Sequence, residues 1–150
     1  MTLHILLDSS PLGLLSIPAR GTAAPIAHWA AACLAAGHEL YVPEVIDYEL
    51  RRELLRAGKV NSVRELDRLK SALNFLPINS AAMLFAADLW AKSRQGGLAT
   101  GDPKKLDIDV ILAAQALTLG IPASDLVVAT SNVAHLARFV PADLWSNIKP

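Results

Sequence analysis

The feature that most constrains this chain is the alternation of short apolar runs with segments of helical period. Leu3 to Leu7 form an apolar run stopped by Asp8-Ser9-Ser10-Pro11, as a buried strand does on entering a polar turn. Glu39 to Val42, Asn74 to Pro77 and Leu126 to Ala129 read as three further strands. Between them lie helical patterns. An Ala-rich helix spans Pro25 to Ala36, and Pro43 opens another in which Val45, Ile46, Leu50, Leu54 and Leu55 recur at three- and four-residue spacing. Gly58 closes that helix; Asn61 or Ser62 caps the next, whose stripe is Val63, Leu66, Leu69 and Leu73. Ser80 precedes a helix running to Arg94, a further helix opens near Asp107 or Asp109 and ends at Gly120, and a short one covers His135 to Phe139. Proline and glycine mark 11–25 as loop, with one helical turn around Leu14, and Gln95 to Lys105 as a polar loop. Strands alternating with helices predict an α/β three-layer sandwich with a mainly parallel central sheet. At 150 residues a single domain over 1–150 is expected.

Composition removes several classes. Fourteen basic and fourteen acidic residues cancel, so no global positive field advertises a polyanionic partner and any charge argument must be local. The single cysteine, Cys33, excludes an internal disulfide framework or a cysteine-based zinc cluster and suits a reducing cytoplasm. Asp8 interrupts the first apolar run too early for a signal peptide, and the Ala-rich stretch is about half the length of a membrane span. A cytoplasmic protein with no membrane partner is the expectation.

Open parallel sheets gather ligands beyond the carboxyl ends of their strands. Asp8 follows the first strand, Thr130-Ser131-Asn132 follows the late one, and Asp107 and Asp109 open the helix before it. A carboxylate at an apolar strand end needs a helix cap, an ion pair or a metal, because burying an unpaired charge costs several kcal/mol. Asp and Glu without His or Cys form a donor set for a hard divalent cation such as Mg²⁺. His4, His28, His38 and His135 are scattered and read as structural, and no HExxH or CxxC spacing is present. GxxxxGK[ST], GxGxxG and GxSxG are also absent.

Four segments taken together, LLDSS, DYELRREL, LDIDVILAAQAL and VVATSN, resemble the PIN-domain nucleases in order and spacing, and the second and third are especially similar to the VapC-like toxin branch. The resemblance implies Mg²⁺- or Mn²⁺-dependent hydrolysis of RNA phosphodiester bonds. It maps the family's first acid to Asp8, its glutamate to Glu49 with Glu44 as the rival, and its third acid to Asp109. Asp107 is then a further ligand or a hydrogen-bonding neighbour. Thr130 matches the family threonine. Where many members carry a fourth acid, this chain has Ser131 and Asn132, which leaves a second metal open; Ser10 stands where a phosphatase-type mechanism would need a second aspartate.

A metal cage repels a polyanion, so flanking cations are needed. Arg51 and Arg52, nearest Glu49 in sequence, are the expected substrate-binding pair, with Lys92, Arg94, Lys104 and Lys105 as an opposite wall. Trp29, Trp90 and Trp145 read as core or interface. The resemblance also implies a cognate antitoxin and a homodimer; the alternative is a catalytically weak PIN-like module used for binding or assembly.

Overall fold

The computed structural model describes residues 1–18, 24–96 and 103–150, with backbone alone at 103 and 104. Strand β1 (His4–Leu7) is apolar on both faces, and Ile5, Leu6 and Leu7 are wholly buried, as a strand covered on both sides requires. It lies between β2 (Glu39–Pro43) and β4 (Leu126–Ala129), and β3 (Asn74–Leu76) and β5 (Ala142–Asp143) form the outer strands. Every pairing is parallel in the order β3-β2-β1-β4-β5, with Leu6 opposite Tyr41 on one side and Val128 on the other. Helices cover the sheet to give the expected three-layer sandwich.

These helices are α1 (Ser9–Leu15), α2 (Ala24–Ala35), α3 (Glu44–Arg56), α4 (Val60–Ala72), α5 (Ser80–Gln95), α6 (Pro103–Leu117) and α7 (Val133–Leu136). Helix α1 corrects the loop expected there. Asp8 caps it and Pro11 sits in its first turn, where a missing N–H costs no intrahelical bond. The rest of that expected loop includes 19–23, outside the described residues. Helix α4 starts before Asn61 and Ser62, which therefore lie inside it, and Lys59 takes the cap position without a side-chain bond. Gly58 does close α3, at φ +68°. Helix α6 begins upstream of Asp107; of the polar loop expected over Gln95 to Lys105, residues 97–102 lie outside the described residues. The two-residue strand β5 was not anticipated.

Trp29 is buried, donates from Nε1 to the Ile148 carbonyl at 2.8 Å and packs 5.7 Å from the Trp145 ring, tying the C-terminal segment to α2. A second apolar cluster joins α5 and α6 through Ala82, Ala86, Leu106, Val110 and Ala114. Trp90 is part-exposed on α5, with Arg94 stacked over its ring. Among the described residues no helix is long and apolar enough to cross a membrane.

Candidate active site

The strand order reverses direction about β1 and β4, and this is the crevice where doubly wound sheets bind ligands. Asp8 and Thr130 are the first residues beyond those two strands. The Asp8 N–H donates to the Ala129 carbonyl at 3.0 Å, continuing the ladder one step past the strands. Its side chain is buried and held at both oxygens: Oδ1 accepts from Ser9 N and Oδ2 from Thr130 Oγ1, each at 2.7 Å. Thr130 Oγ1 in turn accepts from Asn132 N at 2.8 Å, and Thr130 N donates to the Asp143 carbonyl of β5 at 3.0 Å. Asp8 is thus a helix cap and a strand-end carboxylate at once.

Asp109 faces inward from α6 and is buried. Burial, the charge of Asp8 and the charge of Glu49 push its carboxyl up to about 6, against the opposing pull of Lys105 and Arg138. The charges of Asp8 and Glu49 both act on Asp109, so three of the sequence-predicted acids share one electrostatic site. Glu49, on α3, has a buried Oε1 that accepts no hydrogen bond among the described residues. A buried carboxylate oxygen left unbonded carries a full desolvation cost, which only a cation or a proton relieves. Among the described residues no three of His, Cys, Asp and Glu stand close enough together to hold a metal ion. The donors nevertheless suit a hard divalent cation, being all carboxylate oxygens, one of them unpartnered.

The other sequence-predicted residues fall elsewhere. Asp107 is exposed and lines a groove between α5 and α6 with Met83, Trp90 and Val110. Glu44 Oε1 accepts from Ile78 N at 2.7 Å and so ties the start of α3 to the segment after β3. Ser10 and Ser131 are exposed, and Asn132 is half-buried at the start of α7. Arg51 is bound to acids, with Nη2 2.8 Å from both Asp47 Oδ1 and Asp67 Oδ1. Arg52 is exposed, its guanidinium over the Tyr48 ring at 5.0 Å. Glu53 pairs with Arg56, and Glu65 with Arg68. Lys104's side chain lies outside the described residues. Two groups were missed from the sequence: Arg138, which acts on Asp109 and lies inside the helix expected over His135 to Phe139 but past the end of α7, and Gln115, an amide inside an apolar run.

The sequence model of the PIN domain matches residues 14–137. The chain belongs to the PIN-domain family. The family's members are nucleases. The match begins after Asp8, so the place of Asp8 in this site stands on the strand-end geometry. No curated protein matches the chain in sequence. Among solved structures, VapBC2 from Rickettsia felis, bound to a DNA fragment from its promoter, is similar at TM-score 0.70 and 16% identity, over 95% of this chain and 99% of that one. VapBC-1 from nontypeable Haemophilus influenzae is similar at 0.66 and 18%, over 97% and 100%. FitAcB from Neisseria gonorrhoeae gives 0.65 and 17%, over 96% and 99%. At these identities the likeness is one of fold.

Proposed function

We propose that this PIN domain, a single unit over residues 1–150, is an endoribonuclease that uses Mg²⁺ or Mn²⁺ held by Asp8, Glu49 and Asp109. The observation that carries the reading is the buried, unbonded Oε1 of Glu49 in a site whose Asp109 already feels two other carboxylates. When bound, such a cation supplies a water of lowered pKa and offsets charge building on the phosphate. The chain's own part is to hold the donors. Thr130 fixes one oxygen of Asp8, and the first turn of α1 fixes the other. Asp107, on the groove side of α6, stays outside the ligand set in this reading. Asn132, where many members have an acid, adds no charge, so one cation is the resident number.

RNA as substrate rests on the resemblance of DYELRREL and LDIDVILAAQAL to the VapC-like branch. The names of the structural neighbours support the same branch, and with it a toxin role and a cognate antitoxin; action in the cytoplasm rests on the single cysteine and the early Asp8 of the sequence. The exposed Met83, Leu84, Phe85 and Trp90 on α5 support self-association.

The test is cleavage of defined single-stranded RNAs with Mg²⁺ or Mn²⁺ by wild type and Asp8→Asn. Wild type cuts only with metal, and the variant is slower by about a hundredfold or more, equivalent to about 2.7 kcal/mol of barrier. Equal cutting by both, or none by either, overturns the reading and leaves the binding module.

A further inference from the structure

Gln115 is a long polar side chain, wholly buried on α6 in a run of Ala, Leu and Ile. Burying a glutamine costs rotamer entropy and strips its amide of water, so its bonds matter. Its Oε1 accepts from Val45 N at 3.3 Å, and its Nε2 donates to the Leu76 carbonyl at 2.9 Å. Val45 is the second residue of α3, whose cap position is Pro43, and Pro43 makes no side-chain cap bond. The amide of Gln115 therefore satisfies from α6 an N–H that α3 leaves open. Its other end grips the last residue of β3, and two residues on, Ile78 N is gripped by Glu44 from α3. Three elements meet at one amide.

Two of them carry ligands of the proposed cation. Glu49 stands one turn beyond Val45 on α3, and Asp109 stands on α6 with Gln115. Among the described residues Glu49 Oε1 has no hydrogen bond to hold it, so the seating of α3 against α6 decides where it lies. Resting on the metal-site reading above, we propose that Gln115 is a positioning residue: by bridging Val45 and Leu76 it seats α3 on α6 and sets Glu49 relative to Asp109 for the cation.

The variant is Gln115→Met, which keeps the length and volume and removes both bonds. Its control is Trp29→Phe, which removes the bond from α2 to the Ile148 carbonyl and lowers stability while leaving both bonds of Gln115 in place. Mn²⁺ affinity is measured by calorimetry on each protein, at a temperature where circular dichroism finds all of them folded. Gln115→Met binds Mn²⁺ about tenfold or more weakly, the range for groups that orient ligands without touching the metal, and Trp29→Phe binds as wild type does. Wild-type affinity in Gln115→Met overturns the proposal alone, as does an equal loss in Trp29→Phe. Wild type taking up no Mn²⁺ overturns the metal-site reading and this proposal with it.

Discussion

The Thr130 hydroxyl donates to Oδ2 of Asp8 at 2.7 Å, joining the ends of two adjacent parallel strands that lie 122 residues apart in sequence. Both side chains are buried, so neither has water to fall back on. Thr130→Val keeps the shape, leaves Asp8 Oδ2 unsatisfied and takes the acceptor from Asn132 N. The expected loss is about 1–3 kcal/mol of unfolding free energy, read by urea denaturation, with Thr130→Ser restoring most of it. A Thr130→Val protein as stable as wild type would mean that the bond contributes nothing net.

Asp109 gives the protein a pH dependence of definite sign. Its carboxyl titrates near 6 when folded against 3.8 in the open chain, so the folded state holds the proton more tightly across that window. Metal-free stability therefore falls as pH rises from about 4 through about 6, by on the order of 1–3 kcal/mol. Asp109→Asn removes the dependence and is the more stable protein at neutral pH without metal. Mn²⁺ raises the melting temperature of wild type at neutral pH and leaves that of Asp109→Asn where it was. Parallel pH profiles for the two metal-free proteins would place the titration elsewhere.

Much of this was legible in the sequence because it is set by local pattern. Leu3 to Leu7 ending at Asp8 had to be a buried strand delivering a carboxylate to the sheet's edge. Of helix α1 only the turn around Leu14 was legible, because Pro11 and Gly13 punctuate the segment; Asp8 caps its start. The contrast between Asp107 and Asp109 was hidden by their spacing: two residues on a helix are about 200° apart, so one faces the core and the other the α5–α6 groove. Gln115 escaped because an amide inside an apolar run looks like a tolerated exception until its partners on α3 and β3 are seen. Strand β5 is two residues long and exists by pairing with β4, which no local pattern announces.

Glu44 and Glu49, rivals by sequence, are separated by their bonds. Glu44 has a backbone partner in Ile78 N, whereas Glu49 Oε1 is buried without one. Glu44→Gln weakens a charge-assisted bond and lowers stability by about 1 kcal/mol while metal-dependent cleavage stays near wild type. Glu49→Gln does the reverse: stability holds or rises, because a buried charge is gone, and cleavage is lost. Denaturation and RNA cleavage on the same two preparations check both halves. Loss of cleavage in Glu44→Gln with full activity in Glu49→Gln would exchange their roles.

Arg51 and Arg52 are neighbours with different surroundings, and they are expected to fail differently. Arg51 forms a two-point bond with buried Asp47, from Nε at 3.2 Å and Nη2 at 2.8 Å, and reaches Asp67 on α4. Arg51→Met leaves Asp47 with Lys70 at 3.7 Å as its remaining ion-pair partner among the described residues. The expected cost is about 2 kcal/mol, most of it from stranding a buried carboxylate, since the Asp67 end is exposed and screened. Among the described residues Arg52 makes only surface contacts, so Arg52→Ala leaves stability within about 0.5 kcal/mol of wild type. If its guanidinium meets RNA phosphate, the substitution raises KM with kcat unchanged and makes the salt dependence of RNA binding shallower by about one phosphate's worth. Denaturation midpoints with RNA affinity at two salt concentrations separate the cases. An Arg51→Met protein of full stability that binds RNA poorly would make Arg51, despite its carboxylate partners, the phosphate contact.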